Sequence, residues 1–168
     1  MEDMSELFMS AHSFNQPLNH WNTGNTISMQ SMFWHAESFN QDISTWNVSK
    51  VKDMSEMFSN AFSFNQDISD WDVSNVEDMS YMFLAALSFN QPLNSWDVRN
   101  VKYFEHLFYE AHSFSQPLNE WELDSVKKEN TWGMFYGADK FVEKYRSTLE
   151  KWEKNYGLSI DFMLEEDD

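Results

Sequence analysis

The sequence predicts an α/β fold, a solenoid of 25-residue strand–helix coils with a parallel sheet on its inner face and a helical cap at the C-terminal end. Three observations predict it. Trp21, Trp46, Trp71, Trp96 and Trp121 recur at intervals of 25 residues, and self-similarity at one fixed period is the signature of a repeat architecture. Other large side chains keep the same interval: Met4, Met29, Met54, Met79 and Phe104 form one column, and Phe8, Phe33, Phe58, Phe83 and Phe108 another. Within a copy the apolar period changes. Met54, Met57, Phe58 and Ala61 are spaced 3, 1 and 3 apart, the face of a short helix, whereas Trp46 and Val48 stand two apart, like residues on one face of a strand.

Each copy therefore reads as strand, turn, short helix and return loop. Asp53 with Glu56, and Asp3 with Glu6, have the spacing of a capping box at the helix start. One copy has too little apolar surface to stand alone, so neighbours must cover each other's open faces. Strands pair at about 4.8 Å and helices pack at about 8–10 Å, so such a stack curves with its strands inside. Asn15, Asn40, Asn65 and Asn90, followed by Gln16, Gln41, Gln66, Gln91 and Gln116, read as stacked amides that satisfy turn backbone in adjacent coils. A sixth copy, Met134, Phe135, Ala138 and Phe141, is displaced by two inserted residues.

Residues 1–141 thus form the repeat unit, with about six helix copies and five Trp strands, and residues 142–168 the cap. Met1 falls in the slot of Val51, which leaves an open first coil. Phe141, Tyr145, Leu149, Trp152 and Tyr156 make the stripe of an amphipathic helix that lids the last coil, stopped by Gly157. Leu158, Ile160 and Phe162 alternate as a final strand before the acidic tail Glu165–Asp168.

The 168 residues suit one domain. Net charge is −17. Residues 1–126 carry 4 basic and 18 acidic side chains, and residues 127–168 carry 7 and 10, so the repeat itself holds most of the charge. Such a field repels nucleic acid and attracts basic proteins or cations. The absence of cysteine removes disulfides, thiolate metal sites and a cysteine nucleophile. No apolar run reaches the length of a membrane span. Residues 1–20 lack the basic-then-apolar pattern of a signal peptide, so the chain reads as intracellular or as one from which a targeting segment has been removed.

Met57-Phe58, Phe64 to Gln66 and Trp71 to Val76 (Trp-Asp-Val-Ser-Asn-Val) resemble the repeat of the BspA-like leucine-rich-repeat surface proteins, in the variant seen in mycoplasma surface lipoproteins. The resemblance covers about residues 1–141. It implies a leucine-rich-repeat-like right-handed solenoid, displayed at the cell surface or secreted, that acts in adhesion or protein binding. It carries over no catalytic motif.

The residues point the same way. His12, His20, His35, His106 and His112 form no HExxH or other ligand-spaced pair, and the slot of His12 and His112 holds Glu37, Phe62 and Leu87 in other copies. That slot reads as a tolerant surface, not a metal site. There is no nucleophile elbow and no P-loop, and the chain has four glycines. The expectation is a non-enzyme without cofactor that binds a protein partner, a basic one suiting its field, or associates with itself. The residues before and after each strand Trp point outward, and their acidity rises toward the C-terminal copies. Asp70, Asp72, Asp97, Glu120 and Glu122 are thus expected to form an acidic strip for a basic partner, or for weak Ca2+ binding. Trp34, Leu84 and Tyr109 share a slot, with Phe62 three residues on in another, as an apolar stripe for docking. The alternative function is structural, an assembly protein whose open first coil and aromatic stripe pack against copies of itself or a larger shell.

Overall fold

In the computed structural model, which describes residues 1–166, each 25-residue copy is a coil made of linked β-turns. In the second copy, backbone N–H groups donate three residues back, from Met32 to Met29, Trp34 to Ser31, Ala36 to Phe33, Phe39 to Ala36, Trp46 to Ile43 and Val51 to Val48, at 2.9–3.2 Å. Ser31 (φ 53°) and His35 (φ 54°) are left-handed. They occupy the third position of turns 29–32 and 33–36, where a type II turn requires positive φ.

The donors between those turns reach the next coil. Met29, Ser31, Phe33 and His35 donate to the carbonyls of Asp53, Ser55, Met57 and Ser59, all at 2.9 Å. The same four rungs recur one copy later, from Met54, Glu56, Phe58 and Asn60 to Asp78, Ser80, Met82 and Leu84. A buried backbone donor must find an acceptor, and here the neighbouring coil supplies it.

This overturns the strand–helix, leucine-rich-repeat-like right-handed solenoid and its parallel sheet. Among the described residues there is no β-strand and no sheet, the coils contain no α-helix, and formal pairing reduces to isolated parallel bridges Asp3–Ser28, Ser28–Asp53, Asp53–Asp78 and Asp78–Tyr103. The expected six helix copies and five Trp strands are therefore absent. The stretch expected to be helical carries the cross-coil backbone bonds, and the stretch expected to be a strand, around Trp46 and Val48, carries none. The apolar spacing reports only which side chains face inward. Met54, Met57, Phe58 and Ala61 are fully buried, but linked turns satisfy that pattern as well as a helix does. Without strands and helices in the described coils, the expected spacing mismatch between them is absent, and with it the expected cause of curvature.

The expected capping boxes are corrected in the same way. Asp53 Oδ1 accepts from Ser55 N–H (2.9 Å) and Ser55 Oγ (2.7 Å), an Asx turn, while Glu56 sits at φ 57° and caps nothing. The motif Asp/Asn-x-Ser repeats this bond at Asp3–Ser5, Asp42–Ser44, Asn47–Ser49, Asp67–Ser69, Asp72–Ser74 and Asp78–Ser80. Hydrogen bonds from Ser5, Ser44 and Ser69 hold the carboxyls of Asp3, Asp42 and Asp67 below their ordinary range.

Side chains tie the remaining circumference. Trp46, Trp71, Trp96 and Trp121 donate their Nε1–H to Leu18, Ile43, Ile68 and Leu93 of the preceding coil, at 2.9–3.2 Å. The Asn column forms the ladder its repetition predicts, with Oδ1 of Asn15, Asn40, Asn65 and Asn90 accepting from the N–H of Asn40, Asn65, Asn90 and Ser115, each at 2.9 Å. Inside, Phe33, Phe58, Phe83 and Phe108 stack at 5.5–5.8 Å, and each lies about 4 Å from the Phe six residues later in its own coil.

At the C-terminal end a 3-10 turn, Lys128–Thr131, precedes helix α1, Asp139–Tyr156. Phe141, Leu149 and Trp152 of the expected stripe are buried, and Tyr145 and Tyr156 are half-buried. Trp152 stacks on Trp121 and Phe135, so α1 lids the last coil. Gly157 (φ 70°) closes it, its N–H donating to Glu153. The expected strand of Leu158, Ile160 and Phe162 is replaced by a short helix α2, Ile160–Met163. The carbonyls of Phe162 and Met163 accept from Gly133 and Phe135, which ends the rungs of the sixth copy. Of the acidic tail, Asp167 and Asp168 lie outside the described residues.

Candidate functional site

Of the five expected acidic residues, three border one depression. Asp97, Glu120 and Glu122 surround a surface depression of about 400 Å³, lined also by Asn94, Ser95, Trp96, Val98 and Arg99. Asx turns and the Trp anchor hold this stretch, since Trp96 is buried and its indole is fixed to Ile68. Arg99 Nε donates to Asp97 Oδ1 (2.9 Å) and Nη2 to Oδ2 (2.7 Å). That fork holds the Asp97 carboxyl below its ordinary range, and Asp97, followed by Glu122, raises the Arg99 guanidinium. Glu120 is positioned by its N–H on Asn94 Oδ1 (3.0 Å) and by Asn119. Three carboxylates and one guanidinium leave two net negative charges there.

Asp70 and Asp72 do not line this depression. Asp70 lines a separate depression of about 340 Å³ with Asp42, Ser44, Gln66 and Asp67, and Asp72 is engaged by Ser74 N–H and Oγ (3.1 and 2.6 Å). The charged columns also contain a register the sequence reading missed. Glu77 lies between Lys52 (3.8 Å) and Lys102 (2.6 Å), because residues 25 apart become neighbours. Exposed pairs of this kind contribute little to stability, but they break the acidic field.

Histidine rings lie against members of the expected apolar stripe, His35 against Trp34 and Phe62, and His106 against Tyr109 as well as Tyr81. Trp34 and Leu84, both half-buried, line one shallow depression of about 270 Å³ with Glu56, Ser59, Asn60 and Tyr81. Phe62 is half-buried and meets His35 edge-on, with centroids 6.5 Å apart. Tyr109 packs on His106 and Tyr136.

Coil stacking brings together a set the sequence reading had set aside. His12, His35 and Glu37 each offer a ligand atom, all within 4.8 Å of one another, and His12 Nδ1 lies 3.1 Å from Glu37 Oε1. In sequence Glu37 occupies the slot of His12 one copy later. In a stack of coils, occupants of one slot are neighbours, and that 25-residue interval was the available signal.

These features define a repeat protein of turn-built coils with its chemistry on the outer slots. The chain belongs to the family described as Mycoplasma protein of unknown function, DUF285, whose model matches residues 1–83 and 43–152. No curated protein matches the chain. No described helix is long and apolar enough to cross a membrane.

Proposed function

We propose that this chain is a non-catalytic protein-interaction or adhesion module of the surface-protein type, and that it docks a basic segment of a partner protein. The observation that carries the reading is the gathering of Asp97, Glu120 and Glu122 around one depression. Arg99 neutralises one of the three charges and leaves the others for a Lys or Arg side chain. Its bidentate hold on Asp97 preorganises the site, which lowers the cost of binding. The resemblance of the repeat to BspA-like surface proteins supports the surface-protein part. Calcium is a weaker second occupant of the same carboxylates.

Calorimetry with a Lys/Arg-rich peptide at physiological salt tests the reading. The triple change D97N, E120Q, E122Q is expected to weaken binding about tenfold, or 1.4 kcal/mol. The control triple D124N, E143Q, E150Q, which removes as much charge from other exposed positions, is expected to leave it within twofold. Equal effects would reduce the interaction to bulk charge attraction and defeat the proposed site.

A second reading, self-assembly, is favoured by the first coil. Leu7 and Met9 are exposed there, and Phe8, Phe14 and Trp21 are half-buried, whereas Phe33, Phe39 and Trp46 one coil later are buried.

A further inference from the structure

We propose that His12, His35 and Glu37 form a binding site for a divalent transition-metal ion of the zinc type. This site is separate from the protein-binding depression and shares no residue with it. Two imidazoles and a carboxylate are a donor set suited to zinc, with water completing a tetrahedron. Calcium, which prefers six to eight oxygens, is poorly matched. Zinc–ligand bonds of about 2.0–2.1 Å place tetrahedral ligand atoms roughly 3.3 Å apart. His12 Nδ1 and Glu37 Oε1 are already 3.1 Å apart, and the set as a whole lies within 4.8 Å, so side-chain rotation alone closes it. The ion sits between His12 Nδ1 and Glu37 Oε1 in place of their direct contact.

The surroundings restrict the ligands. The His35 ring is held edge-to-face against Trp34, at 4.2 Å and 74°, and against Phe62, at 6.5 Å and 76°. Its backbone is left-handed (φ 54°) and donates to Ser59 at 2.9 Å. Ser38 N–H bonds the His12 carbonyl at 3.1 Å, which fixes the first coil against the second beside the site. Because the ligands come from two coils, the ion links them, and metal binding adds to folding stability. The acidic surface raises the local concentration of cations.

The test uses zinc alone, titrated calorimetrically into the full chain at pH 7.5, with His35→Asn as the main variant. Asn60 fills the equivalent left-handed slot of the next coil, so the change suits the backbone. The wild type is expected to bind one zinc ion saturably and to melt at a higher temperature with zinc. His35→Asn is expected to lose more than about tenfold in affinity, the cost typical of even outer-shell changes, together with the zinc-dependent rise in melting temperature. Glu37→Gln, a change at a partly exposed side chain, gives a second measurement should His35→Asn fold poorly. His112→Asn, outside the site, is expected to bind like the wild type. The proposal is overturned if the wild type shows no saturable one-to-one zinc binding, if the folded variants bind as it does, or if calcium binds the wild type equally well and loses that binding in His35→Asn.

Discussion

Trp71 and Trp152 are both large indoles in the core, yet they do different work. Trp71 Nε1 donates to the Ile43 carbonyl at 3.2 Å across the coil boundary, whereas Trp152 is fully buried and its Nε1 has no hydrogen-bond partner among the described residues. Trp71→Phe both vacates volume and removes one of the two hydrogen bonds that the Ile43 carbonyl accepts, the other coming from Trp46 N–H, a net loss of about 0.5–1.5 kcal/mol. Trp152→Phe vacates the same volume and orphans nothing. Urea denaturation is expected to find Trp71→Phe more destabilising by roughly 1 kcal/mol. Equal losses would mean that the indole bonds do not hold the coils together.

Linked turns, not helices or strands, are the elements of this fold, and their mark is positive φ at two slots per coil. Residues as varied as Glu6, Ser31, Glu56, Tyr81 and His106 fill the first slot, and Ser10, His35, Asn60, Ala85 and Glu110 the second. Left-handed backbone costs an L-residue about 1–2 kcal/mol, which the cross-coil bonds and core burial must offset. The displaced sixth copy places glycine at both slots, Gly133 (φ 60°) and Gly137 (φ 70°). That was the one local sign against a helix, and the other copies concealed it. A Cβ on Gly133 would lie 2.9 Å from the His106 ring, and one on Gly137 3.2 Å from the Glu110 backbone. Thermal melts are expected to show Gly133→Ala and Gly137→Ala destabilised by roughly 1–3 kcal/mol. Gly24→Ala, without positive φ and 3.3 Å from a movable Asn47 side chain, is expected to be nearly neutral. A neutral result at Gly133 would contradict the turn assignment there.

At the scale of the molecule the two end faces differ. The last coil is covered by α1 and α2, while the first presents Leu7 and Met9, 42% and 45% exposed. In the second coil the carbonyls of Ser28, Gln30, Met32 and Trp34 accept the rungs of the first. The equivalent carbonyls of Asp3, Ser5, Leu7 and Met9 accept no such rung among the described residues, like the groups along a sheet edge. If self-assembly runs through this face, light scattering is expected to show mass rising with concentration in the wild type and not in Leu7→Lys. A strictly monomeric wild type at high concentration would remove that reading. The net charge of −17 opposes association, so the contrast is sharpest at high salt.

The 25-residue clock by itself determined which side chains are core, that Asn and Gln would ladder, and that a helix from Phe141 would cover the last coil. These follow from burial and repetition, which act on residue type alone. Of the five acidic candidates, Asp97, Glu120 and Glu122 border one depression. Backbone geometry was decided only by tertiary structure, because inward-facing residues spaced 3, 1 and 3 apart fit a helix and a run of turns equally well. The choice went to turns because they aim every second N–H at the neighbouring coil, where an isolated segment has no acceptor. For the same reason, His12, His35 and Glu37 are distant in sequence and become adjacent only when coils stack.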